Sequence, residues 1–264
     1  MRTPDTTDGA QMERENGVDQ IHSRLREITE RMIDNPVLDA VESGILTQDE
    51  WREFAKQRYL AARHFEALLK AGIQKAQDAG GQELVEALAS NLRDEEGIDK
   101  DGKALPTGSH EKWRQDFYNT LGLDGHVLSS AEPFEGTRQY DVTLKELVDN
   151  GNLLTVSGAL LLQEYSIPEE FKRIRTGRDL TFPDQFVLQP TDPSEMRRQK
   201  GFARLYIDHH IAHDATSHYP DFERAIVKHA GNPEALAKLF GGMNVISEAK
   251  KKFYESLQEK LGQK

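Results

Sequence analysis

Apolar residues recur three and four positions apart along most of the chain, and no stretch alternates apolar with polar residues for long enough to make a strand. That periodicity restricts the chain to packed amphipathic helices. Ile21, Leu25, Ile28 and Met32 form the first such face, which Pro36 closes. Thr47 to Glu50 reads as a capping box, in which the Thr47 hydroxyl accepts from a helix-start N–H and Glu50 reaches back. It opens one long core helix carrying Trp51, Phe54, Ala55, Phe65 and Leu69. Leu84, Val85, Leu88 and Leu92 carry the next helix to Gly97, and a polar loop then leads to Ser109, a cap for a helix with Trp113, Phe117 and Leu121.

Gly122 to Arg138 reads as a connection with short helical turns. Thr143 is expected to cap a helix running through the apolar stretch Leu153 to Leu162 and on to Glu164, with Pro168 and Gly177 interrupting the segment beyond Glu164. Ser194 to Ser217 is helical, and Pro220 breaks that helix or starts the next. Asn232-Pro233 opens a last helix with Leu236, Leu239, Ile246, Ala249 and Phe253 inward and a bend or break at Gly241-Gly242. Residues 1–17 are almost devoid of apolar side chains and are expected to form a disordered tail, leaving 18–264 as a single domain.

The chain has no cysteine, so any metal must sit on His, Asp and Glu, and neither a disulfide nor a thiolate nucleophile is available. A net charge of -11 argues against nucleic-acid or anionic-membrane surfaces and points to a small-molecule partner. No run approaches the roughly 20 apolar residues that a membrane span requires, and the polar start is unlike a secretory leader. A cytoplasmic protein is expected.

Four of the nine histidines fall between His209 and His218. Positions four apart on a helix differ by about 40° in direction, so His210, Asp214 and His218 form one stripe. His209 and His213 form a second, roughly 100° away. The stripe with the carboxylate is the better metal candidate, because Asp balances the charge of a cation that neutral imidazoles ligate. Two other segments carry ligand types. Glu95 lies three past Leu92 on an inward face, with His110 across the following loop, and Glu164 follows a long apolar run. Taken singly, each has a plainer reading: a solvated polar face, an acidic helix end, a helix finishing in solvent. Lys172, Arg173 and Arg175 are candidates to hold a substrate carboxylate, or else solvated surface cations.

In this order and character the segments resemble the haem-oxygenase-like di-iron oxidases and oxygenases. Those proteins place a Glu in an Asn-Leu-x-x-Glu-x-Gly-like segment, then a His after a loop, a Glu on a mid-chain helix, and a His-x-x-x-Asp-x-x-His helix. Glu95, His110, Glu164, His210 and Asp214 fall on that pattern, and the resemblance extends from Glu50 to Leu257. One departure matters: the family's last His falls where this chain has Ser217, so either a one-residue bulge brings His218 into place or the second iron has a weaker or different ligand. The resemblance implies an all-α, single-domain bundle of about seven core helices. It implies two ferrous ions on Glu95, His110, Glu164, His210, Asp214 and His218, with dioxygen as co-substrate. It further implies oxidation of an amino acid, fatty acid or pathway intermediate in specialised metabolism, with an external electron donor and a homodimer as expected partners. Rival readings are a metal-independent hydrolase or cofactor-maturation enzyme of the same fold, haem on His22 or His64, and a helical module with surface zinc at His209 and His213.

Overall fold

The computed structural model describes the backbone of residues 6–261 and the side chains of residues 17–261 apart from Asp214 and Ala215. Its helices are α1 (Thr6–Ile33), α2 (Pro36–Glu42), α3 (Gln48–Ala61), α4 (Phe65–Asp78), α5 (Gln82–Glu96), α6 (His110–Thr120), α7 (Gly125–Ser129), α8 (Glu135–Asn150), α9 (Leu153–Thr181), α10 (Ser194–His213), α11 (Tyr219–Ile226) and α12 (Pro233–Leu261). A three-residue 3-10 turn, Ala62–His64, lies between α3 and α4, and a π-helical segment, Asp214–His218, between α10 and α11. Among the described residues there is no strand beyond one isolated bridge between Ile98 and Ala104. No described helix is long and apolar enough to cross a membrane.

Helix α9 is the axis of the bundle. Its residues Val156 to Glu164 are all buried, because α12, α2, α10, α4 and α1 pack around it. An apolar run without a polar face is what a helix surrounded on all sides requires. The closest approach is made by glycines: a Cβ on Gly158 would collide with the Leu239 carbonyl oxygen, and one on Gly242 with that of Thr155, so α9 and α12 meet backbone to backbone. Trp51 sets the other end of the core, edge-on to Phe54 and Phe182 at 5.8 and 5.5 Å.

Several local expectations change. Helix α1 begins at Thr6, inside the stretch expected to be a tail, since residues 10–15 are strong helix formers even without an apolar face. The long helix expected from Glu50 through Leu69 is divided by the 3-10 turn at Ala62–His64. Thr143 lies within α8 rather than at a helix start, and Asn152 caps α9, its side chain accepting from Thr155 N at 3.1 Å. Pro168 and Gly177 do not interrupt α9. Both are buried there, and Gly177 lets the Val41 carbonyl of α2 come close. Nor does Gly241-Gly242 break α12. At Gly177 and Gly242 packing outweighs local propensity, which spans only about 1 kcal/mol for glycine.

Candidate metal centre

Four helices bring the ligand-type side chains to the middle of the bundle. On α5 the stripe Leu84, Leu88, Asn91 is buried, and Glu95 continues it at the same spacing. The helix stops at Gly97, which adopts φ +69° and packs against the Gly108 and Ser109 backbone; a side chain at Gly97 would be strained and would collide there. Leu105 N donates to Gly97 O at 2.7 Å, so the loop folds back on the helix end. Ser109 then caps α6 and sets His110 in its first turn, facing Glu95. On α10, Ala203, Tyr206, Ile207 and His210 are the buried residues, so His210 completes an apolar stripe.

His110 Nδ1 lies 3.1 Å from Glu95 Oε1, off hydrogen-bond geometry, and both ring nitrogens of this 2 %-exposed imidazole are buried without a hydrogen bond among the described residues. The His110 ring meets those of His209 and His210 at 4.6 and 5.2 Å between centroids. Glu164, equally buried, accepts from Asn91 Nδ2 through Oε1 at 2.8 Å, and its Oε2 stands 3.7 Å from His218 Nδ1. His218 Nε2 is 2.8 Å from Asp94 Oδ2, and His213 Nε2 is 3.2 Å from the same oxygen. Burial would raise the Asp94 carboxyl, but the hydrogen bonds and charges of His218 and His213 hold it below its ordinary value.

The structure therefore pairs Glu95 with His110, sets His210 beside His110, and joins Glu164 to His218. The Asp214 side chain lies outside the described residues. The chain is π-helical from Asp214 to His218, the local widening that would turn His218 rather than Ser217 inward; His218 is buried and Ser217 only half-buried. Asp94 and His213 also join this cluster, although Asp94 adjoins Glu95 in the acidic helix end and His213 lies on the second stripe, beside the one favoured for metal. The bulge itself carries the signal for His213: a π turn makes i and i+5 neighbours, and the His213 and His218 rings are 4.6 Å apart.

The other candidates have different partners. His22 pairs with Glu223 and His64 with Asp141, on the sides of the bundle. Lys172 pairs with Glu169, Arg173 with Asp39 and Glu42, and Arg175 with Asp208, so these cations are already engaged. Imidazoles and carboxylates mixed in this way suit iron, and a buried imidazole with neither nitrogen hydrogen-bonded is costly unless a cation takes it.

A family model described as iron-containing redox enzyme matches residues 52–250. No curated protein matches. Among solved structures, a CADD-like protein of unknown function from Nostoc punctiforme is similar in fold at 17% identity and a TM-score of 0.72, over 95% of this chain and 99% of that one. A second crystal structure of that protein gives 15% and 0.69, over 95% and 96%. A TenA homolog from Pseudomonas syringae pv. tomato is similar at 11% identity and a TM-score of 0.65, over 91% of this chain and 92% of that one.

Proposed function

The chain belongs to the iron-containing redox enzyme family, and we propose that within it the protein is a non-haem di-iron oxidase or oxygenase acting on a small molecule with dioxygen. The observation that carries this reading is the buried His110 imidazole, without a hydrogen bond at either nitrogen, set between Glu95 and His210. Glu95, His110, Glu164, His210, Asp214 and His218 would hold the irons, and Asp94 and His213 offer further donors beside His218. Bound there, iron would supply reversible redox change and open coordination positions. An external donor would supply the reducing equivalents.

The chain's own residues orient the ligands. Phe171 and Tyr206 pack on the His210 ring at 4.6 and 5.0 Å and hold its plane. Asn91 Nδ2 holds Glu164 Oε1 and leaves Oε2 turned toward His218. Asn91→Ala is expected to weaken iron binding by about 10- to 100-fold, the usual effect of losing a partner that orients a ligand. Chelator competition measures this; unchanged affinity would show that Asn91 does not position Glu164.

Anaerobic titration of the metal-free protein with ferrous iron tests the proposal. The expected result is about two ions per chain, as in other two-metal sites, with a visible absorbance that appears on exposure to oxygen. A second reading rests on one feature: Asp94, His213 and His218 offer ligand atoms all within 4.8 Å of one another. Two histidines and one carboxylate are the ligand set of mononuclear non-haem iron. One tightly held ion, lost in His213→Ala, would favour that reading. No loading at all would sink both and leave the hydrolase reading of the fold.

A further inference from the structure

A cavity of about 160 Å³ is walled by residues of α3, α4, α5, α6, α8, α9, α10 and α12, and Glu95, His110 and His210 line part of it. Its wall also contains a charged group that the metal chemistry does not use. Arg58 Nη1 donates to Glu170 Oε2 at 2.9 Å, and Lys250 Nζ donates to Glu170 Oε1 and to Ser166 Oγ at 3.2 Å. Glu170 is 1 % exposed and Lys250 8 %. Two basic side chains share one carboxylate, so with both protonated the group carries one positive charge in excess. Burial would raise the Glu170 carboxyl, but Lys250 and Arg58 outweigh it and hold it down to about 2. Burial, together with the neighbouring Arg58 charge, outweighs Glu170 and lowers the Lys250 ammonium from its ordinary value.

Unused donors lie in the same wall. Gln163 accepts from Tyr140 Oη through Oε1 at 3.0 Å, while its buried Nε2 makes no hydrogen bond among the described residues. Arg58 Nε and Nη2 make no hydrogen bond among the described residues either, on a side chain that is 20 % exposed. A buried donor such as Gln163 Nε2 opposes folding unless something accepts from it. The other charges along the cavity are matched locally, Arg114 with Glu111, Glu66 with Lys70 and Arg63 near Asp141, while Glu95 belongs to the candidate ligands. What the cavity lacks is an anion with acceptor atoms.

We propose that Arg58, Lys250 and the Gln163 amide form a subsite for the carboxylate of a small acid with an apolar body. The volume is close to that of an apolar cavity that admits one benzene ring, about 150 Å³, so the body is about the size of a single ring. Tyr140, Phe171 and Phe253 line the space it would fill. The Arg58 guanidinium lies 5.2 Å from the Phe171 ring centre and the His210 ring 4.6 Å from it, and Glu95, His110 and His210 line the same cavity, so the acid would lie beside the metal ligands. That this acid is the substrate rests on the di-iron reading; that it binds does not.

Calorimetry on the metal-free protein tests the subsite, with benzoate, phenylacetate and cyclohexanecarboxylate against their amides and against benzylamine. At least one acid is expected to bind about tenfold or more tightly than its amide, the scale of a charge-assisted hydrogen bond. Gln163→Leu and Arg58→Gln should each remove most of that preference. The proposal is overturned if no acid binds, if acid and amide bind alike, if the amine binds best, or if the preference survives Gln163→Leu. Should Arg58→Gln not fold, Gln163→Leu decides alone, since it removes no charge. Failure of the iron reading would appear in the ferrous titration and leave these affinities unchanged.

Discussion

Glu164→Ala is expected to abolish iron loading and oxygen reactivity while the protein stays folded, and His110→Ala and His210→Ala should do the same. The reason lies in how these residues are placed. Each is at most 8 % exposed, and each sits where an apolar side chain would pack. His110 makes no hydrogen bond at either ring nitrogen among the described residues, so removing it from the metal-free protein costs little beyond the contacts of its carbon atoms, and the apolar faces of the bundle supply most of the stability in the other two variants. Glu164→Ala also leaves Asn91 Nδ2 without its acceptor, a cost of about 1–3 kcal/mol. His218→Ala should lose the iron nearest Asp94 and His213, whereas Ser217→Ala should load normally. His22→Ala, on the half-exposed side of α1, serves as a control. Circular dichroism and iron analysis on the same samples separate the outcomes. If the ligand variants unfold while the control does not, or if Glu164→Ala still loads fully, the assignment fails.

Glu170→Gln is expected to destabilise the protein by about 3–5 kcal/mol at neutral pH, the cost of removing one partner from a buried ion group. It leaves Arg58 and Lys250 facing each other without an anion. The pH dependence has a definite sign. The Glu170 carboxyl is lowered from an ordinary 4.5 to about 2 in the folded protein, so its contribution is fully present above the unfolded value and is lost as the pH falls through the folded one. The gap between wild type and Glu170→Gln should therefore hold from neutral pH down to about 5, narrow below it, and close near pH 2. Denaturant melts across that range measure it. A gap independent of pH would show that the loss is one of packing rather than of charge.

Much of the architecture is legible from spacing alone. The capping box at Thr47–Glu50 and the caps at Ser109 and Asn232 all form. The inward faces at Ile21, Leu25 and Ile28, and at Leu236, Leu239 and Ile246, are buried. Breaks are harder to read. Pro168, Gly177 and Gly241-Gly242 look like interruptions in isolation, yet all lie within continuous helices. The glycine signal is ambiguous because a residue without a Cβ serves a bend and a close helix crossing equally well, and only the neighbour decides. Gly158 and Gly242 face Leu239 and Thr155 across such a crossing.

Residue types and helical spacing settle the chemical inventory and its approximate direction, because both are local properties. They confine metal ligands to His, Asp and Glu and place Glu95 and His210 on inward stripes, whereas the bulge before His218 is implied by the family resemblance alone. Which of these side chains meet is a matter of tertiary packing. Asp94 and His218 are brought together by the packing of α5 against the π segment. Arg58, Glu170 and Lys250 come from three helices far apart in the chain and form one charged group. Lys172, Arg173 and Arg175, which the sequence offers for the same task, are drawn into ion pairs with their neighbours. A charge becomes a binding group only when burial strips its water and leaves it one partner short, and no local pattern records that.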